Sequence, residues 1–325
     1  AMSTMGAMDS YLHHLPAGSR PVVVGVDGSS DSTQALLWAA VEAAQRGVPL
    51  RIVAAWVVPA LAFTTPVVPP TFVDPTIFEA AAEEIVTEAA ETVRTRLGAG
   101  APAVETIAVA GEPATVLSES SRHAGMLVVG THGRGTLARA VLGSVAERCL
   151  ALSSVPVVVV GEQASAPADG PVVVGVEDTP AARDALRWAV LEAGRLGRRL
   201  VVVHAHEVDS VLRPDLAELP PDVDEVTSKN VRRFLDHLLT EVAVIGGRPR
   251  SVAWRVVVGD ATHRLVEASA DASMLVVGTP RPHGLVERMV GSTGRHCVRT
   301  ANCPVVVVPA AAIPEVDGPV LECAS

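Results

Sequence analysis

The residues best placed to do chemistry lie in one stretch, VVGTHGRGTLARAVLGS, at positions 128–144. An apolar run ends there, and Gly130, Gly133, Gly135, Gly143 and Ser144 follow among two arginines, Arg134 and Arg139. Glycines let backbone N–H groups converge on one point, and a helix start behind them adds partial positive charge. The chemistry on offer is therefore anion binding, phosphate above all. The competing reading is structural, a glycine-rich connection between a strand and a helix. Two known phosphate loops are excluded. The Walker pattern GxxxxGK[ST] needs a lysine that this loop lacks. The dinucleotide pattern GxGxxG follows a first strand, where this chain has only GVDGSS at 25–30.

The elements that would position this loop occur twice. PVVVGVDGS at 21–29 returns as PVVVGVEDT at 171–179. The register holds as Ala35, Leu36, Trp38, Ala39 and Glu42 meet Ala185, Leu186, Trp188, Ala189 and Glu192. GMLVVGT at 125–131 returns as SMLVVGT at 273–279, Gly143–Ser144 as Gly291–Ser292, and PVVVV at 156–160 as PVVVV at 304–308. Repetition over so long a period marks two homologous domains in tandem. Their expected bounds are 20–161 and 171–309, with a small, polar linker at 162–170 and tails at 1–19 and 310–325.

Each half alternates strand and helix. PVVVGV is a continuous valine run, as a strand buried on both faces requires. A helix with Ser/Asp caps follows, with an apolar stripe through Leu37, Trp38, Val41 and Ala44 and a stop at Gly47. In the second half, Thr179 and Pro180 are a cap residue and a first-turn proline. Further strands are expected at 50–56, 105–111, 126–130 and 156–160, and helices at 78–98, from Pro113, and from about 137 to 152. The fold class is α/β: two tandem open parallel five-stranded sheets with helices on both faces, Rossmann-like. In such sheets ligands lie beyond the carboxyl ends of the strands, where residues 25–30 and 130–144 both fall.

Composition narrows the class. The 325 residues are 49% hydrophobic but only 3% aromatic, so the core is aliphatic and large enough for two domains. A net charge of −10 argues against sequence-independent nucleic-acid binding, and Lys229 is the sole lysine. Cys149, Cys297, Cys303 and Cys323 form no CxxC pair, which makes a reducing cytoplasm the expected location. No apolar run approaches the roughly 20 residues of a membrane helix, and residues 1–19 resemble neither a signal peptide nor an anchor. A soluble protein without membrane or nucleic-acid partners is expected.

The spacing Gly130, two residues, Gly133, nine residues, Gly143, Ser144 is G-x2-G-x9-G-S. Joined to a first strand ending at Asp27 and a closing PVVVV strand, it resembles the ATP-binding universal stress proteins, in the tandem form common in actinobacteria. The resemblance covers about 20–309. It implies a strand order 3-2-1-4-5 in each half and a pseudo-dimer of the halves through their last strands, with further homodimerisation left open. It also implies ATP as ligand, with Mg²⁺ carried by the triphosphate. By the same resemblance Asp27 would face the sugar or base, and the backbone of Ala55 would meet the adenine edge. Gly130 and Gly133 would admit ribose and phosphates, and Gly143, Ser144 and the N–H of Val145 would hold the terminal phosphates. In the second half Ala205, Gly278, Gly291 and Ser292 match, but Glu177 replaces Asp27 and Arg281 stands where Gly133 does. Pro280 and Pro282 also remove two N–H donors. The first half is expected to bind better.

Two function classes compete: a nucleotide-dependent regulatory protein of the stress response, and a slow ATPase or nucleotide-transferring enzyme. A ligand-free tandem scaffold is the third. No Ser-His-Asp arrangement or P-loop metal motif is visible, so no catalytic residue and no metal ligand is assigned, and binding is favoured. His204 and His206 share a strand face without a third ligand, which favours a structural role. The cysteines read as buried small apolar groups. The apolar, proline-rich segment 57–78 is a lid or an interface.

Overall fold

A computed structural model describes residues 20–58, 74–133, 142–161, 169–177, 179–206, 229, 232–237, 239–240, 248–280 and 291–310. The chain divides into two compact units, residues 1–166 with 288–306 and residues 167–287 with 307–325. The first-half elements are β1 (Val22–Gly25), α1 (Ser30–Arg46), β2 (Leu50–Trp56), α2 (Pro75–Leu97), β3 (Val104–Ala110), α3 (Pro113–Ser120), β4 (Met126–Gly130), α4 (Ser144–Leu152) and β5 (Val157–Val160). The second half continues with β6 (Val172–Gly175), α5 (Pro180–Arg195), β7 (Arg199–His206), β8 (Ser251–Val258), α6 (Ala261–Ala268), β9 (Met274–Thr279), α7 (Ser292–Thr300) and β10 (Val305–Pro309).

The first five strands lie in the order β3-β2-β1-β4-β5 and the second five in the order β10-β9-β6-β7-β8, so the 3-2-1-4-5 expectation holds in each half. Pairing is parallel between β1 and β2, β1 and β4, β2 and β3, and β4 and β5. It is parallel again between β6 and β7, β6 and β9, and β7 and β8. Val22, Val23 and Val24, and Val172, Val173 and Val174, are buried, as strands covered on both faces must be. Among the described residues no helix is long and apolar enough to cross a membrane.

Helix α1 begins where Ser29 accepts the Ser32 N–H at 3.2 Å and ends at Gly47, whose φ of +64° favours glycine. Its buried face corrects the expected stripe. Ala35, Leu36, Ala39, Ala40 and Ala43 face inward, while Val41 is 44% exposed. The reason is closeness. The helix lies on β1 and β4, whose valines fill the interface, so the contact face takes small side chains. Helix α5 buries the corresponding Ala185, Leu186, Ala189, Val190 and Ala193, but there the larger Trp188 is buried as well.

Two helix starts also differ from expectation. Helix α2 opens at Pro75, three residues early, because Asp74 accepts the Thr76 N–H at 3.0 Å and proline suits a first turn. Helix α4 opens only at Ser144, not near 137: Leu142 and Gly143 lie outside it, and residues 134–141 fall outside the described residues. Cys149, Cys297 and Cys303 are buried. Burial, then the Glu112 carboxylate, push the Cys149 thiol up to about 12 against the pull of Arg148, so it stays protonated.

Ala39→Leu is expected to destabilise the fold by about 1–3 kcal/mol. Val41→Ser should change stability by about 0.5 kcal/mol or less. Urea midpoints of the two variants check this, and equal losses would return the packing face to the Val41 side.

Candidate functional site

The site lies where the β1 ladder runs out. Pairing of β1 with β4 ends at Val24 and Val128, and pairing with β2 ends with the Val26 N–H on the Val53 carbonyl at 2.9 Å. Strand β2 goes on pairing with β3 as far as Trp56 and Ala110. The β1-facing backbone edge of residues 54–56, Ala55 among them, therefore lies beyond the ladder, beside β1, and strand order reverses on the other side of β1, between it and β4.

Asp27 stands at that point. Its Oδ1 accepts the Ser29 N–H at 3.0 Å and the Ser29 hydroxyl at 2.6 Å, a turn made possible by Gly28 at φ +78°. The other oxygen, Oδ2, faces Gly133: a Cβ on that glycine would stand 2.8 Å from it. Gly133 thus brings the loop backbone against the Asp27 carboxylate, two residues the sequence placed in one site.

The loop is closed at its base. The Gly143 N–H donates to the Thr131 carbonyl at 2.8 Å, and a Cβ on Gly143 would meet that oxygen at 3.0 Å. This bond holds Gly143 extended (ψ 145°) and starts α4 beside the end of β4. Side chains cap α1, α2, α3, α5 and α6 through Ser29, Asp74, Glu112, Thr179 and Asp260. Among the described residues no side chain caps α4 or α7, which start behind Gly143 and Gly291. The first-turn N–H groups of α4, including those of Ser144 and Val145, have no intrahelical acceptor and carry the positive end of the helix dipole. Arg134, Arg139 and Arg281 lie outside the described residues.

Three residues that the sequence reading passed over complete the site. Asp31, in the first turn of α1, is 6% exposed and turned inward. Its Oδ2 accepts the Thr131 hydroxyl at 2.6 Å and the His132 N–H at 3.0 Å, and lies 3.1 Å from His132 Nδ1. The imidazole thus meets the Asp31 carboxyl through Nδ1, and the buried Nε2 has no hydrogen-bond partner among the described residues. Gly130 permits this approach, since a Cβ would stand 2.9 Å from the Asp31 carbonyl carbon and 3.0 Å from its oxygen. Its expected service to ribose is not what the packing requires of it. Only the repeat held a signal: Asp31 and His132 are Ala181 and Pro280 in the second copy.

The second half keeps the skeleton and loses the polar contacts. A Cβ on Gly278 would stand 2.6 Å from the Ala181 carbonyl carbon, so the close helix approach persists. Ala181 offers no side-chain acceptor, and the Thr279 hydroxyl is buried with no hydrogen-bond partner among the described residues. Such a group costs about 1–3 kcal/mol. The Thr279 carbonyl accepts the Ala310 N–H at 3.0 Å. Glu177 accepts the Thr179 hydroxyl at 3.2 Å, and Ala205 pairs with Val257 of β8. Gly278 belongs to one compact unit and Gly291 and Ser292 to the other, and a Cβ on Gly291 meets no described atom within 4 Å. His204 is 7% exposed with Nδ1 3.0 Å from the Val176 carbonyl, a structural contact. Among the described residues no group of three or more His, Cys, Asp or Glu is placed to hold a metal ion.

Comparison with known proteins gives the family of the chain. The model of the universal stress protein family matches residues 18–161 and again 170–309. The chain belongs to the universal stress protein family. This tandem universal stress protein is 34% identical over 298 residues to universal stress protein Rv2005c of Mycobacterium tuberculosis, covering 90% of this chain and 98% of that one. It is 32% identical over 315 residues to Rv1996 of the same organism, covering 88% and 94%. Among solved structures it is similar to a universal stress protein from Archaeoglobus fulgidus, with a TM-score of 0.66 at 16% identity over 91% of this chain and 100% of that one. That likeness bears on the fold alone.

In this universal stress protein one ion pair steadies the site's helix. Glu112, the cap of α3, accepts the Thr115 N–H at 2.9 Å and the Ala114 N–H at 3.3 Å, and lies 3.0 Å from Arg148 of α4. Burial pushes its carboxyl up, but the Thr115 N–H and hydroxyl, the Ala114 N–H and Arg148 outweigh that and hold it below its ordinary 4.5. A carboxyl depressed in the folded state adds stability that is present above its unfolded value and lost as pH falls through its folded one. Glu112→Gln should therefore melt below the parent at pH 7, with the gap closing below about pH 4.5. Melting curves from pH 3 to pH 7 read it, and a gap independent of pH would remove the charge from the account.

Proposed function

We propose that the first half binds ATP and that the protein is a nucleotide-dependent regulator rather than a fast catalyst. The observation that carries this reading is the convergence of the Asp27 carboxylate, Gly133 and the uncapped start of α4 beyond the carboxyl ends of β1 and β4. The donor set fits a nucleotide. With no lysine in the loop, the terminal phosphates would rest on the N–H groups of Ser144 and Val145 and on the Ser144 hydroxyl, where the helix dipole favours negative charge. Asp27, acceptor-only when ionised, suits a ribose hydroxyl or the exocyclic amine of adenine. The free backbone edge at Ala55 suits the base. Gly143 holds the α4 start against Thr131, so the phosphate and sugar ends of the site keep a fixed separation. Mg²⁺ would arrive on the triphosphate.

The pairing of the two halves through their closing strands belongs to the same proposal, as does a cytoplasmic location. So does the asymmetry. Ala205, Gly278, Gly291 and Ser292 retain the pattern, but Glu177 and Pro280 change the groups that would meet the ligand.

The test is the nucleotide released by heat from the purified protein, with calorimetric titration of the stripped chain. About one ATP per chain is expected. Gly133→Ala should push the Asp27 carboxylate aside and weaken ATP by about tenfold or more, about 1.4 kcal/mol, with little change in melting temperature. ADP or AMP in place of ATP would move weight to hydrolysis. No nucleotide, together with no ATP-induced rise in melting temperature, would overturn the reading.

A further inference from the structure

We infer that Asp31 is the positioning residue of the nucleotide loop, and that Ala181 in its place leaves the second half without nucleotide binding of its own. This rests on the nucleotide reading above and names what decides it.

An acidic side chain in the first turn of a helix ordinarily stays in solvent beside the positive helix end. Asp31 is instead 6% exposed and gathers the Thr131 hydroxyl, the His132 N–H and the His132 ring on one oxygen. Two of these groups surround a single peptide unit, the one joining Thr131 to His132. Its N–H donates to Asp31 at 3.0 Å and its C=O accepts the Gly143 N–H at 2.8 Å. A planar trans peptide directs those two groups oppositely, so it is gripped from α1 on one side and from the start of α4 on the other. Both parts of the site hang from it. Gly133, one residue on, meets Asp27, and Gly143 sets where the N–H groups of α4 begin.

The second half cannot be gripped this way. The corresponding peptide joins Thr279 to Pro280 and has no N–H, and Ala181 has no side-chain acceptor. Its carbonyl accepts Ala310 instead. The Thr279 hydroxyl, where Thr131 has Asp31, has no hydrogen-bond partner among the described residues.

The experiment is calorimetric titration of Mg·ATP into the full chain, with melting temperatures measured alongside. Asp31→Ala is expected to weaken ATP at least about tenfold. Asp31→Asn keeps an acceptor oxygen for the Thr131 hydroxyl and the His132 N–H, and should recover most of the affinity. The double variant Ala181→Asp, Pro280→His restores acceptor and donor to the second half and should raise the stoichiometry above the parent's. A parent that binds ATP while a folded Asp31→Ala binds it equally tightly overturns the inference and leaves the nucleotide reading standing. So does a parent that already fills two sites. A parent that binds no ATP removes the nucleotide reading first and this inference with it.

Discussion

Helix α1 can lie on the end of β4 only because residue 130 has no side chain. A Cβ there would meet the backbone of Asp31 at 2.9–3.0 Å, too close for atoms that cannot swing aside. Gly278 stands in the same relation to Ala181 and Ala182. Since the second half keeps this approach after losing the polar contacts around it, the glycine serves packing in both copies. Everything at the site follows from that approach. It brings Asp31 within reach of Thr131 and His132, and through their peptide it fixes Gly143 and the first turn of α4.

Gly133 has a different cause. Its Cβ would meet a carboxylate oxygen at the far end of Asp27, a group that could move away at little cost. Packing does not demand glycine there, and the second copy has Arg281. What glycine provides is an unobstructed backbone beside an acidic group, which the core does not require and which the nucleotide reading proposed above would use. The two glycines look alike in the sequence but answer to different forces. The start of α4 fits the same reading: a side-chain cap is worth about 1 kcal/mol, and five of the described helices have one while α4 has none among the described residues. In a chain of net charge −10 whose loop has no lysine, that bare helix end is a local source of positive potential.

The fold was legible because its signals are local. The valine runs, the Ser29 and Thr179 caps, Pro180 and Gly47 each act within a few residues, and the repeat states the pattern twice. Misreadings came where a longer-range contact won. Leu37, Trp38 and Val41 look like a core stripe by size, but a helix set so close to a valine sheet turns alanines inward. The Gly143 N–H is bound to the Thr131 carbonyl, and α4 begins at the next residue, Ser144. The glycines stood out by their spacing and Asp27 by the family resemblance, and their service to a ligand belongs to the proposal. Asp31 was not legible, because its partners are 100 and 101 residues away and nothing near it marks a buried acid.

The paired change of Asp31 to Ala181 and His132 to Pro280 has its own physical logic. Losing the carboxylate alone would leave a backbone N–H, a ring nitrogen and a hydroxyl at that place without their acceptor, each buried donor costing about 1–3 kcal/mol. Losing the histidine alone would leave an acid short of donors in a site only 6% exposed, dearer still for a charge. Replacing both together avoids most of this. Proline removes the ring and also the very N–H that the acid would have accepted. One group is left over, the Thr279 hydroxyl, buried without a hydrogen-bond partner among the described residues. It marks where the Asp31 acceptor stands in the first copy, so the two halves share the apolar approach and differ in the polar contacts around it.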